Sequence, residues 1–288
     1  MAQSKHQIEA LLAEAGSHPR HRFGQNFMID QNLVRLVAEA GDLSPADVAI
    51  EVGPGTGTLT EELLARAGRV VAVEIDRDLA GLLRGRFTDR PNFSLVEGDA
   101  LAGKHELNAD LLATVRAAAG DGRPAKLVAN LPYNIASPLV IELLAAGAGL
   151  LAFTVQKEVA QRLKAGAGED DYGPLSVMVQ MLGRVEVLRT LPPQAFWPAP
   201  KIESALVRVR RDDRLGGRAG AFGRFVHRVF SFRRKTLRNA LAQAGFGAAA
   251  ALAATGLDGQ QRPEMLTPGQ LLDLYEVAVD PAEADAGT

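Results

Sequence analysis

Short apolar, β-branched runs recur along the first two hundred residues, and the early ones are separated by helix-length amphipathic stretches. The runs at Val48–Val52, Val70–Ile75, Phe93–Glu97, Lys126–Asn130, Leu150–Gln156, Arg184–Thr190 and Ala205–Arg210 predict seven strands. The segments between the early ones are long enough for parallel crossovers. Such alternation implies a mostly parallel, doubly wound α/β sheet with helices on both faces. Ser137-Pro138 and Thr267-Pro268 read as N-caps followed by proline at the first helical position. A Pro-rich segment, Pro192–Pro200, joins the last two strands where a helix would otherwise stand, which suggests an antiparallel hairpin at one end. Beyond Arg210 the strand pattern stops. Gly216, Gly217 and Gly220 mark a linker, and Ala221–Val279 reads as helical, with an Ala-rich stretch at Ala248–Ala254. The expected division is therefore 1–211 and 212–279, followed by a polar, acidic tail at 280–288 read as disordered.

Composition changes this picture little. The 288 residues are 47% apolar and 23% charged, as in an ordinary globular protein. Apolar stretches such as Leu150–Val155 are too short to span a bilayer, and Met1–Ala15 carries no secretory pattern, so a cytoplasmic location is expected. The absence of cysteine excludes disulfides, thiolate metal sites and a cysteine nucleophile, hence also covalent methylation at a pyrimidine ring carbon. The five histidines show no metal-ligand spacing, and no metal is expected.

The first strand ends in Glu51-Val-Gly53-Pro-Gly55-Thr-Gly57, and Glu74 closes the second strand 21 positions after Gly53. Glycines let the chain turn sharply and let a ligand approach the backbone, and an acid at the second tip suits ribose hydroxyls. A nicotinamide dinucleotide would fit the same spacing. Charge decides against it. Pro54 removes a backbone donor and Glu51 adds a negative charge, both adverse to a pyrophosphate. A sulfonium cofactor, S-adenosylmethionine, tolerates or welcomes a carboxylate there. The third strand ends in Gly98-Asp99-Ala100, where an acid can accept from an adenine amino group. These three tips in succession are the order of a Rossmann-like methyltransferase.

The fourth strand ends in Asn130-Leu131-Pro132-Tyr133. The amino group of adenine is a poor nucleophile because its lone pair is delocalised into the ring. Two acceptors for its two N–H groups, the Asn130 side-chain oxygen and the Leu131 carbonyl, would free that lone pair. Pro132 keeps Leu131 out of the helical region and adds no competing N–H. Tyr133 offers a flat face for a base. Methyl transfer then needs alignment and a dry site, with no metal and no covalent intermediate. Phe196, between the prolines of Pro193-Gln-Ala-Phe196-Trp-Pro198-Ala-Pro200-Lys201, fits either a clamp on the other face of the base or a core position beside Trp197.

With these residues in place the chain resembles the bacterial small-subunit ribosomal RNA adenine dimethyltransferases, from about Arg20 to about Tyr275. The markers are Arg22-Phe-Gly-Gln-Asn26-Phe-Met28, the glycine loop, Asn130-Leu-Pro-Tyr-Asn134, Gln156-Lys-Glu-Val159, Tyr172-Gly-Pro-Leu-Ser-Val177, Phe196-Trp-Pro-Ala-Pro-Lys201 and Phe232-Arg-Arg-Lys-Thr-Leu-Arg-Asn239. The resemblance implies cofactor contacts at Gln25, Asn26, Met28, Gly53, Gly55, Glu74, Asp99, Ala100 and Asn130, and a base-stacking role for Phe196. It implies two methyl groups on each of two adjacent adenosines near the 3′ end of 16S ribosomal RNA, an assembling small subunit as substrate, and docking by the helical domain. Met28 stands where leucine is common, 104–124 looks long, and 212–221 matches loosely.

Net charge is −2, but Arg214–Arg238 holds eight arginines and lysines and no acid. This reads as a phosphate-binding footprint, with Arg233, Arg234, Lys235 and Arg238 at its centre and Arg22 and Lys201 as further RNA contacts. Gly166–Gly173 reads as a mobile loop that could cover substrate. The remaining alternatives are a large-subunit adenine methyltransferase of the antibiotic-resistance type and a non-catalytic assembly factor. A monomer is expected.

Overall fold

A computed structural model of the chain describes residues 3–20, 23–103 and 106–279. All seven expected strands form: β1 (Val48–Val52), β2 (Arg69–Glu74), β3 (Phe93–Glu97), β4 (Lys126–Asn130), β5 (Leu150–Gln156), β6 (Gly183–Leu191) and β7 (Ser204–Arg211). They make one sheet in the order β3-β2-β1-β4-β5-β7-β6. Strand β1 pairs parallel with β2 and β4, β2 with β3, and β4 with β5, while β7 runs antiparallel to β5. The strand order therefore reverses between β1 and β4. In an open α/β sheet a crevice forms beyond the carboxyl ends of the strands at such a reversal. The glycine loop and Asn130 leave the sheet there.

Ile50, Leu127, Val128 and Phe153 are fully buried, as strands covered on both faces require. Helices α1 (Lys5–Glu14), α2 (Gln31–Ala40), α3 (Thr58–Leu64), α4 (Arg77–Arg86), α5 (Ala109–Gly120) and α6 (Ala136–Ala146) accompany the strands. Most of the long stretch between β3 and β4 is regular structure among the described residues. Leu101–Gly103 pairs with Glu106–Leu107, and Asn108 then caps α5 by accepting from the backbone N–H groups of Asp110 and Leu111. Its alanines are helix formers, not loop residues. Helix α6 begins at Ala136, one residue ahead of the expected Ser137 cap, and Pro138 sits in its first turn, where it removes no bond.

The chain forms two compact units, Met1–Ala160 with Val185–Arg211, and Gln161–Arg184 with Asp212–Thr288. This corrects the simple division at residue 211, because an excursion from the sheet belongs with the C-terminal helices. The second unit contains α8 (Pro174–Leu182), α9 (Ala219–Phe230), α10 (Leu237–Gln243), α11 (Ala248–Thr255) and α12 (Pro268–Ala278); α7 (Lys157–Lys164) runs across the division. Helix α8 is apolar nearly all round and packs on α9 and α12. Phe222 and Phe225 meet Tyr275 edge-on at 5.6 and 5.7 Å. The loop at 166–173 is fastened into this core. Tyr172 is buried and its hydroxyl donates to the Leu266 carbonyl at 2.7 Å, and the Gly168 N–H donates to the Glu264 carbonyl at 2.8 Å. Thr267 caps α12 in a reciprocal arrangement with Gln270, as the sequence implied. The tail at 280–288 lies outside the described residues.

Candidate active site

The glycine loop leaves β1 with Gly53, Gly55 and Gly57 all at positive φ, 72°, 61° and 82°. A side chain at Gly53 would meet Pro132 Cγ at 3.3 Å, and one at Gly55 would lie 2.8 Å from Phe27 Cε1. The loop is thus threaded between the proline that follows Asn130 and an aromatic ring from the N-terminal segment. A cleft of about 910 Å³, partly open to solvent, lies beside it. Its walls bring together the glycine loop, Glu74, Asp99, Ala100, Asn130 and Pro132, and Gln25, Asn26 and Met28 close another side. All the sequence-predicted cofactor residues therefore line one pocket.

Two carboxyls give the pocket its character. Glu51 is buried and accepts from the Thr60 hydroxyl at 2.6 Å; burial pushes its carboxyl up to about 8. Glu74 accepts from the Gly55 N–H at 3.1 Å and the Asp76 N–H at 2.9 Å, and burial still pushes it up to about 7. The Ile75 backbone N–H is a further donor to the same carboxylate. Acids held close to neutrality by desolvation ionise more readily beside a cation. That is the donor set a sulfonium with an ammonium group would find complementary, and a diphosphate would not. Asp99 is exposed and accepts from the Leu101 N–H through Oδ1 at 3.0 Å. Ile75, 42% exposed, adds an apolar side chain at the lip. Sequence reasoning missed it; an apolar residue directly after a strand-tip acid was the available signal.

The N-terminal segment is tied down at each step. Arg20 bridges Asp76 at 3.0 Å and Asp78 at 2.5 Å, and Gln25 reaches Asp76 at 3.3 Å. Gln3, ahead of α1, exchanges two hydrogen bonds with Thr56 of the glycine loop, at 2.6 and 3.1 Å. Phe27–Met28 forms a two-residue ladder with Phe196–Trp197. Arg20 is an internal clamp. Arg22 lies outside the described residues.

At the tip of β4, Asn130 donates through Nδ2 to the Asn26 carbonyl at 2.6 Å and accepts through Oδ1 from the Thr154 hydroxyl. Among the described residues nothing donates to the Leu131 carbonyl. The Tyr133 hydroxyl bonds to Ser204 Oγ at 2.7 Å, and burial raises its pKa. Thr154 and Ser204, both fully buried, hold two of the four residues; isolated hydroxyls in apolar strands gave no sequence pattern. Phe196 is 2% exposed and packs with Met28 and Leu191.

Residues 16–280 match the family described as ribosomal RNA adenine dimethylase. The chain belongs to that family. Ribosomal RNA small subunit methyltransferase A of Moorella thermoacetica is 40% identical over 267 residues, 89% of this chain and 91% of that protein. The protein of that name from Pseudomonas putida is also 40% identical, covering 92% of this chain and 97% of its own length. Among solved structures, the 23S rRNA methyltransferase ErmE aligns with a TM-score of 0.62 and 28% identity over 88% of this chain and 99% of that one. A dimethyladenosine transferase from Plasmodium falciparum shares the fold, with a TM-score of 0.71 at 20% identity over 88% of this chain and 99% of that one. The enzyme is an S-adenosylmethionine-dependent adenine methyltransferase, as membership of the ribosomal RNA adenine dimethylase family entails.

In this adenine dimethylase the basic stretch is smaller in space than in sequence. Arg218 pairs with Glu276 at 2.7 Å, Arg214 approaches Asp212 at 3.9 Å, and Arg228 lies over the Phe246 ring at 4.5 Å. Arg233, Arg234, Lys235 and Arg238 remain exposed around the start of α10, with no ion pair among the described residues, and so does Lys201. No helix among the described residues is long and apolar enough to cross a membrane.

Proposed function

We propose that this protein transfers two methyl groups from S-adenosylmethionine to N6 of each of two adjacent adenosines near the 3′ end of 16S ribosomal RNA. The observation that carries the reading is the tip of β4: an Asn130 oxygen and an unpaired Leu131 carbonyl beside a pocket lined by two carboxyls whose burial favours a cationic guest. In this reading Gly53, Gly55, Glu74, Asp99 and Ala100 hold the cofactor, and Gln25, Asn26 and Met28 close over it. When bound, the sulfonium supplies a methyl group on a positively charged sulfur. Asn130 and Leu131 accept from the target amino group and draw its lone pair out of the ring. Tyr133, its hydroxyl held by Ser204, keeps its ring steady for stacking, and the apolar wall at Pro132 and Met28 excludes water. The chemistry calls on no metal, and one chain carries every group named. Arg233, Arg234, Lys235 and Arg238, with Lys201 and Arg22, are read as phosphate contacts to an assembling small subunit in the cytoplasm.

Unmethylated small and large subunits, incubated separately with the protein and labelled cofactor, test this. Dimethylated adenosines in the small subunit support it; label confined to the large subunit would favour the second reading. The structural likeness to ErmE motivates that second reading, but at 28% identity it weighs less than relatives at 40% carrying the small-subunit name.

A further inference from the structure

Asn130 carries two hydrogen bonds before any base arrives. The Asn26 carbonyl takes Nδ2 at 2.6 Å, which fixes the orientation of the amide. Oδ1 therefore has a set direction, and it accepts from Thr154 Oγ1. Thr154 sits directly across the parallel β4–β5 pairing from Asn130 and is fully buried. On the otherwise apolar run Leu150–Val155, valine would fill the same space without bringing a polar group that must be satisfied. A carbonyl oxygen has two lone pairs, and Thr154 occupies one of them. The Leu131 carbonyl has no donor among the described residues. The two acceptors that the proposed function assigns to the target amino group are thus unequal: one is satisfied without substrate, the other is not.

We propose that Thr154 is a positioning residue that sets how many methyl groups the site adds, by letting it accept a monomethylated adenosine. The proposal rests on the reading of Asn130–Tyr133 as the target-amino site. In the first transfer the amino group gives one hydrogen to each acceptor. The N6 lone pair forms the new N–C bond as the methyl–sulfur bond breaks, its electron pair stays on sulfur, and the nitrogen loses one proton to bulk solvent as the methylated base leaves the site. A monomethylated base returns with a single N–H. A buried acceptor left without a donor is costly, so that hydrogen goes to the Leu131 carbonyl and the first methyl turns toward Asn130. Oδ1 is not orphaned, because Thr154 still donates to it. The same bond changes then occur at nitrogen, and the last N–H proton goes to bulk solvent in the same way. Without the Thr154 hydroxyl, a monomethylated base always strands one of the two acceptors.

The experiment compares wild type, Thr154→Val and Thr154→Ser on unmethylated small subunits, with mono- and dimethylated adenosine resolved by mass over time. Calorimetric affinity for S-adenosylmethionine and the melting temperature are measured alongside. Thr154→Val is expected to slow the second transfer about tenfold more than the first, so that monomethyladenosine accumulates, with cofactor affinity as in wild type. Thr154→Ser, which keeps the hydroxyl, is expected to restore the wild-type ratio. A Thr154→Val protein that yields the wild-type ratio, or slows both transfers by one factor, would overturn the proposal. Failure of the wild-type protein to modify adenosine would overturn the functional reading and this proposal together, an outcome visible before any variant is compared.

Discussion

Two groups of cationic side chains, one in each unit, are held in opposite ways. In the sheet-bearing unit Arg20 grips Asp76 and Asp78, Arg86 holds Glu61 and the Thr56 carbonyl, and Lys126 pairs with Asp47 at 3.0 Å. In the helical unit Arg233, Arg234, Lys235 and Arg238 face solvent with no ion pair among the described residues. A cation closed on a buried carboxylate is part of the fold, since removing it strands the partner charge. An exposed, unpaired cation contributes little to stability and stays available to phosphate. The contrast separates positive charge tied into the fold of the sheet-bearing unit from positive charge left in solvent, although both look alike along the sequence.

The sharpest division between the units comes from their largest predicted effects. Asn130→Ala should lower the rate of methyl transfer by at least about a hundredfold while small-subunit binding persists; transfer and binding falling together would break the comparison. Reversing Arg233, Arg234 and Lys235 to glutamate should do the converse. Subunit affinity should fall and its dependence on the logarithm of salt concentration should flatten by about three, with calorimetric affinity for S-adenosylmethionine unchanged. Arg20→Met should cost about 2 kcal/mol in denaturant stability, because Asp76 stays buried without its cation, and should weaken cofactor binding. An unchanged denaturation midpoint would show that the clamp is not structural.

The smallest effect is with pH. Burial raises Glu51 and Glu74 from 4.5 to about 8 and about 7. Between those limits the folded chain holds protons that the unfolded chain has released, so stability without ligand should decline as pH rises from about 4.5 to about 8. A cationic ligand favours the ionised forms, so its binding should release protons and tighten over the upper part of that window. Calorimetry in buffers of different ionisation enthalpy counts those protons, and Glu51→Gln should reduce the count.

The sheet was largely legible because its strands are continuous apolar runs buried on both faces, and Phe93–Glu97, Lys126–Asn130 and Leu150–Gln156 match the expected bounds. The strand-tip residues were legible for the same reason, since a residue at the end of a buried run must sit at the crevice. What escaped was set by tertiary contact. Phe27–Met28 pairs with Phe196–Trp197 across more than half the chain, and neither dipeptide has a strand pattern of its own. Phe196 carried no sign of which way it would turn. Gly166–Gly173 reads as a mobile loop because its glycines and acids are local, while its anchor, the carbonyl of Leu266, is far away in sequence. The acid-free span Arg214–Arg238 hid the ion pair of Arg218, whose partner Glu276 comes 58 residues later.

The bond from Asn130 to Asn26 spans 104 residues. A chain made from its N-terminus therefore releases the strap long before the strand tip it must meet. Contacts of such separation form late, because a long loop must close before they repay its entropy. The sheet can assemble around Val48–Val52 and Arg69–Glu74 while the first thirty residues are still searching. Competence to hold a methyl donor then waits at least until β4 has been made, and a nascent chain halted before β4 would lack the groove altogether.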